Sequence, residues 1–187
     1  MSLVHTPICD FGWKPPGFNL QGIDGKPYRL DDIRGTTGTL IMFICNHCPY
    51  VKAIASRLVD DVTTLQSMGI GVAAIMPNAM ELVKADSVDN MKAFSRAHGF
   101  TFPYLVDETQ DVARAYDAVC TPDFFGFNAE DELQYRGRFD ELGTRPATNG
   151  VRHELLEAMT AVAETGRGPD EQTASMGCSI KWREYVS

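Results

Sequence analysis

Apolar residues change their spacing several times along the chain, and each change predicts an element. Thr39-Leu40-Ile41-Met42-Phe43-Ile44 is almost uninterruptedly apolar and rich in strand formers. Because it does not alternate, it predicts a strand buried on both faces. After Cys48-Pro49, apolar side chains recur at Val51, Ile54, Ala55, Leu58, Val59, Val62 and Leu65, the spacing of one helix face. Gly69 ends that helix, and Ile70-Gly71-Val72-Ala73-Ala74-Ile75-Met76 reads as a second buried strand. Strand, helix and strand in succession form a βαβ unit, which implies two parallel strands joined by a right-handed crossover.

The flanks carry weaker patterns. Phe18-Asn19-Leu20 and Lys26-Pro27-Tyr28-Arg29-Leu30 enclose Gln21-Gly22-Ile23-Asp24-Gly25, whose Asp-Gly signals a hairpin. Val88, Met91, Phe94 and Ala97 predict a helix ending at Gly99, followed by a short strand over Phe102–Val106 and a short helix marked by Val112, Ala113 and Tyr116. Asp123–Phe127 and Glu132–Arg136 flank Asn128-Ala129-Glu130-Asp131 as a second antiparallel hairpin, and Val151 to Ala163 supply a last amphipathic helix. Trp13 and Lys14-Pro15-Pro16-Gly17 read as an N-terminal arm over the sheet. The tail after Thr165 is polar and Gly-rich until Ile180, Trp182 and Tyr185.

The length, 187 residues, predicts one domain, placed at 4–187. With 44% hydrophobic and 22% charged residues the composition is neither disordered nor fibrous. A net charge of −8 without a basic cluster argues against nucleic acid or an anionic membrane as partner. The longest apolar run, Leu40 to Cys45, is far shorter than the ~18–20 residues of a membrane span. Residues 1–7 show neither a basic n-region nor an apolar h-region, so the cytoplasm is the expected compartment.

The chemistry rests on the five cysteines. An odd count in a chain long enough to bury a core argues against a disulfide scaffold. In a reducing compartment, a close pair such as Cys45 and Cys48 is more often catalytic or metal-binding than structural. The pair stands where the buried strand feeds the helix, facing the positive end of the helix dipole, which favours a thiolate. Two intervening residues let one sulfur reach the other across a helical turn, so a disulfide can form and break there. Cys45, read as the less enclosed, is the expected nucleophile, and Cys48 the resolving thiol. His47 either adds positive charge beside the Cys45 sulfur or is an exposed helix-start histidine without a redox role. Thr121-Pro122 precedes the strand of the second hairpin, at a sheet entry where a cis bond is more common than elsewhere.

The strand–CxxC–helix junction and the Thr121-Pro122 before a hairpin resemble the thioredoxin superfamily. Within it, the leading hairpin and the strand and helix around Phe102–Tyr116 resemble the peroxiredoxin-related branch, the alkyl hydroperoxide reductase and thiol-specific antioxidant group. Gly177 to Trp182 also resembles a group of peroxiredoxin-like proteins carrying Cys-Asn-His-Cys-Pro-Tyr. The resemblance implies an α/β thioredoxin-like fold of three α/β/α layers with a mixed central sheet, an N-terminal β-hairpin and a peroxiredoxin-type strand–helix insertion. It implies a nucleophile at Cys45, a resolving partner at Cys48, a cis-Pro at Pro122, and backbone hydrogen bonds from Thr121 to a bound substrate. Two positions depart from the pattern. A peroxiredoxin has a threonine three residues before its peroxidatic cysteine, where this chain has Met42 counting from Cys45 and Cys45 counting from Cys48. Thioredoxin has a buried acid six residues before its first cysteine, where this chain has Thr39.

The expected activity is a thiol–disulfide oxidoreductase cycling between dithiol and Cys45–Cys48 disulfide. The alternative is a thiol peroxidase whose Cys45 sulfenic acid condenses with Cys48; a non-catalytic binding module is a third reading. No cofactor is expected. Its partners are a disulfide-bearing protein or a small thiol or peroxide, with a thioredoxin or glutathione system as reductant. A metal site would take Cys45, His47 and Cys48 with His98 or Cys9, but there is no second CxxC or HxxxH, so no metal is expected. Cys120 reads as an apolar filler or an auxiliary thiol, Cys178 as tail packing or a resolving cysteine, and Cys9 as non-catalytic. Arg136 and Arg138, two apart on one strand, read as a solvated edge, as a guide for an anionic substrate or as support for a thiolate.

Overall fold

The structure is a computed structural model and describes residues 2–183. Its strands in the first half are β1 (Leu3–His5), β2 (Asn19–Gly22), β3 (Pro27–Arg29), β4 (Gly38–Phe43) and β5 (Ile70–Met76). The second half contributes β6 (Tyr104–Val106), β7 (Cys120–Thr121), β8 (Asp123–Asn128), β9 (Leu133–Tyr135) and β10 (Met176–Ser179). The α-helices are α1 (Leu30–Ile33), α2 (Pro49–Ser67), α3 (Val88–His98), α4 (Asp111–Ala115) and α5 (Glu154–Thr165).

Seven strands form a mixed sheet in the order β3-β2-β6-β5-β4-β8-β9. β4, β5 and β6 run parallel, while β8 pairs antiparallel with β4 and β2 antiparallel with β6. The β4–α2–β5 crossover is the βαβ unit read from the sequence, and both predicted hairpins form, as β2/β3 and β8/β9.

β4 has the central position, and every one of its residues is buried. Leu40 and Met42 enter a core shared with α2, α3 and α5; Ile41 and Phe43 enter a second core shared with α1, α4, Trp13 and Phe18. The alternation is therefore hidden in the sequence because both faces are covered. Gly99, with φ 67°, ends α3 in the left-handed region that favours glycine.

The ends of the chain depart from the sequence reading. The arm before Trp13 contributes β1, and the tail contributes β10; with β7 they make a second, antiparallel sheet in the order β1-β10-β7. These short strands lack an apolar repeat and form because each supplies the others' backbone partners. Val151 lies before α5, which begins at Glu154. Tyr185 lies outside the described residues.

Candidate active site

The chain leaves β4 at Phe43, and Ile44 still donates its backbone N–H to Ile75 O at 3.0 Å. Cys45, Asn46 and His47 then form a short loop, Cys48 is the N-cap of α2, and Pro49 occupies the first turn, where a missing N–H leaves nothing unpaired. The two cysteines thus stand at the C-terminal end of a parallel strand and the N-terminal end of a helix. α2 holds this end in place by burying Val51, Ile54, Leu58, Val62 and Leu65 against the sheet.

The loop is pinned from below by Asp86, in a 3-10 turn over Lys84–Asp86. Its carboxylate accepts the backbone N–H groups of Asn46 at 2.9 Å and His47 at 3.3 Å. It also contacts His47 Nδ1 at 2.7 Å and accepts from Asn78 Nδ2 at 2.8 Å. Burial pushes this carboxyl up, but the hydrogen bonds from His47 and Asn78 outweigh it and hold the group below its ordinary value. Tyr104 donates its hydroxyl to Asn46 Oδ1 at 2.9 Å, so both residues between the cysteines are fixed by buried partners.

Across the junction, β7 runs into β8 through a cis Thr121–Pro122 bond. The Thr121 Oγ1 lies 3.2 Å from Cys45 Sγ, and the Cys48 thiol donates to the Thr121 carbonyl at 3.1 Å. Cys45, Cys48, Thr121 and Pro122 are therefore brought together. His47 joins them through Asp86, whose carboxylate lies 2.7 Å from its Nδ1.

Both sulfur-bearing residues are 0% exposed, so Cys45 is not the less enclosed of the two. The reason is that β7 and β10 cover the junction. The interaction between the two neighbouring thiols sets their acidities apart. It pushes Cys45 up, a direction reinforced by burial and by the nearby Asp86 charge. The same interaction pulls Cys48 down against the opposing effect of burial, helped by the Val51 backbone N–H and by the side chain and backbone of Cys178. The two thiols thus share their acidity as a pair: their interaction favours the anion on Cys48, at the helix terminus, while the Thr121 hydroxyl favours it on Cys45.

Cys178, read as tail packing or a resolving cysteine, lies with its Sγ 3.2 Å from Cys48 Sγ. Asp86, Asn78 and Tyr104 were missed, because nothing in local spacing links residues of separate loops and strands. Arg136 is not on a solvated edge: it is buried and pairs with the buried Asp123 at 3.1 Å. Burial pushes Asp123 up to about 6 although Arg136 pulls the other way. Arg138 pairs with Glu154 at 2.7 Å. Cys120 is a buried thiol, and burial pushes it well above its ordinary value, as a filler role requires.

Among the described residues, one group of donors can hold a metal: Cys45, His47 and Asp86, whose ligand atoms lie within 4.8 Å of one another. Neither His98 nor Cys9 joins it; His98 packs on Phe94 with ring centroids 4.5 Å apart. The Asp86 oxygens already serve two backbone and two side-chain partners, which suits positioning of the loop better than ligation. A cleft of about 380 Å³ opens beside Tyr50 and Pro122, with Arg138, Phe139 and Met176 among its walls. No helix among the described residues is long and apolar enough to cross a membrane.

A model of the AhpC/TSA family matches residues 11–139. The chain is similar to a conserved protein of Geobacillus kaustophilus whose crystal structure superposes with a TM-score of 0.90 at 40% identity, covering 100% of this chain and 99% of that one. It is also similar to a Sinorhizobium meliloti protein, TM-score 0.88 at 33% identity, covering 97% and 98% of the two chains. Among curated relatives, the thiol–disulfide oxidoreductase ResA of Bacillus subtilis is 25% identical over 145 residues, 78% of this chain and 73% of that protein.

Proposed function

We propose that this chain, which belongs to the AhpC/TSA family, is a thiol–disulfide oxidoreductase of thioredoxin-like fold that cycles between a dithiol and a Cys45–Cys48 disulfide. The observation that carries this reading is the Cys45 and Cys48 pair at the end of β4, whose sulfurs both contact Thr121, at 3.2 and 3.1 Å, beside the cis Pro122. Residues 4–187 are taken as one catalytic unit.

In the reducing direction, the Cys48 thiolate attacks one sulfur of a substrate disulfide. A mixed disulfide forms and the other substrate sulfur leaves as a thiolate, which takes up a proton. Cys45 then attacks Cys48 Sγ, the Cys45–Cys48 bond forms, and the second substrate thiol departs. The Thr121 hydroxyl at 3.2 Å contributes a hydrogen bond to the Cys45 sulfur as charge develops on it. The cleft beside Tyr50 and Pro122 supports entry of the disulfide from that side. Two electrons return from a thioredoxin or glutathione system, for which the cytoplasm is the matching compartment.

Seclusion of both sulfurs favours one alternative, a peroxidase acting on a small oxidant. Peroxide would convert the Cys48 thiolate to a sulfenic acid, releasing hydroxide, and Cys45 would condense with it, releasing water. Reduced protein is mixed with cystine and, separately, with hydrogen peroxide in stopped flow. Disulfide-dependent formation of Cys45–Cys48, found by peptide mapping, supports the oxidoreductase reading. Peroxide oxidation far faster than that of a free thiol, with cystine unreactive, supports the peroxidase. Stoichiometric zinc that blocks both thiols would refute both.

A further inference from the structure

β10 pairs with β7 in a register that sets Cys178 opposite Thr121. Directly opposed residues of an antiparallel pair project to the same face. That face meets the CxxC loop twice: the Thr121 hydroxyl is 3.2 Å from the Cys45 sulfur, and the Cys178 sulfur is 3.2 Å from the Cys48 sulfur. The close approach is built in by Gly177, where a Cβ would lie 2.1 Å from the Thr121 carbonyl oxygen and 3.1 Å from the Pro122 nitrogen. Ser175 secures the same strand by donating its hydroxyl to the Pro122 carbonyl at 2.8 Å. Cys48 therefore touches two thiols, Cys45 on the loop side and Cys178 on the strand side. Cys178 is 5% exposed, against 0% for each of the other two.

We propose that Cys178 is a third redox-active cysteine, which takes over the disulfide from Cys45 by exchange at the Cys48 sulfur; this rests on the Cys45–Cys48 couple proposed above. In the step, the Cys178 sulfur attacks Cys48 Sγ. The Cys48–Cys178 bond forms as Cys45–Cys48 breaks, and the bonding pair leaves on Cys45. One proton passes overall from Cys178 to Cys45, with the Thr121 hydroxyl placed to donate to the leaving sulfur. The number of disulfides is unchanged, so the step needs neither oxidant nor reductant. Its effect is to move the disulfide from the most secluded pair to one that includes the sulfur nearest the surface, where an incoming reductant meets it.

The test is a disulfide map of the full chain. Wild-type protein is oxidised with diamide, quenched in acid, alkylated and digested. The expected result is two cross-linked species, Cys45–Cys48 and Cys48–Cys178. In Cys45→Ser, the expected intramolecular disulfide is Cys48–Cys178. In Cys178→Ser and Cys178→Ala, Cys45–Cys48 still forms, and its reduction by glutathione slows about tenfold, equivalent to ~1.4 kcal/mol of barrier. Formation of Cys45–Cys48 with no Cys48–Cys178 in wild type or in Cys45→Ser overturns the role of Cys178 and leaves the couple standing. Absence of Cys45–Cys48 from oxidised wild type overturns the couple and the exchange together. The wild-type map decides between these outcomes even if a variant fails to fold.

Discussion

Replacing Asp86 by Asn tests whether one buried carboxylate holds the CxxC loop. The carboxylate takes hydrogen bonds from Asn46 N at 2.9 Å, His47 N at 3.3 Å and Asn78 Nδ2 at 2.8 Å, and contacts His47 Nδ1 at 2.7 Å. An amide offers one oxygen, enough for the two backbone donors, but those bonds lose their charge assistance and roughly half their strength. Its nitrogen then faces the Asn78 amide, donor against donor. Turning the Asn78 amide does not rescue the contact, because Asn78 Oδ1 is already accepting from Lys181 N at 2.8 Å. One buried donor is left unpaired, at about 1–3 kcal/mol, and the weakened bonds add about 1 kcal/mol more. The expected loss is about 2–4 kcal/mol, or roughly 4–16 °C in Tm for a chain of this size.

The pH dependence has a definite sign. Asp86 is held below its ordinary carboxyl value in the folded protein. Its contribution is therefore complete above the unfolded value, about pH 4, and is lost as the pH falls through the folded one. Urea melts of the two proteins should differ most at neutral pH and converge on acidification. A difference below about 0.5 kcal/mol at pH 7, the scatter of ordinary surface substitutions, would refute the pinning role. So would a gap that widens at low pH.

In thiolate titrations followed at 240 nm, Cys45→Ser is expected to keep a low-pKa thiol, since a serine hydroxyl still donates to Cys48, whereas Cys48→Ser loses it; the reverse pattern would return the thiolate to Cys45. Arg136→Met strands the buried Asp123 carboxylate and should cost about 3–5 kcal/mol by denaturant unfolding. Asp123 already has a raised folded pKa of about 6, so its contribution to stability falls as pH rises through that value. The variant should therefore be worse at pH 8 than at pH 5, and equal losses at both would count against the ion pair. Gly177→Ala places a Cβ 2.1 Å from the Thr121 carbonyl, backbone that cannot turn aside, so β10 must part from β7. We expect a loss of about 1–3 kcal/mol and faster alkylation of Cys178, and an unchanged rate would refute the close approach.

The middle of the chain was readable because its signals are local. β4, α2 and β5 carry unbroken or helically spaced apolar residues, and such patterns survive in one dimension. Cys45, Cys48, Thr121 and Pro122 were legible for a related reason, since a pair of cysteines at a strand–helix junction and a Thr-Pro before a hairpin are short motifs whose place is set by their neighbours. The ends were not readable in this way. β1 and β10 are too short to show a repeat, and they are strands because β10 pairs with both β1 and β7. Arg136 looked like a surface residue because its partner Asp123 is recruited only when β8 turns back into β9.

The sequence by itself determined a βαβ core with two sulfurs at its functional end, because covalent spacing and hydrophobic period act over a few residues. Tertiary structure alone decided how the two sulfurs share their acidity, what holds the loop, and which other thiol is within reach. Acidity depends on hydrogen bonds and burial supplied by Val51, Thr121, Asp86 and Cys178, and those from beyond the helix's first turn converge only when the chain folds. Cys178 is far from Cys48 along the chain and 3.2 Å from it in space. No periodicity encodes that distance; a glycine thin enough to let β10 lie against Thr121 does.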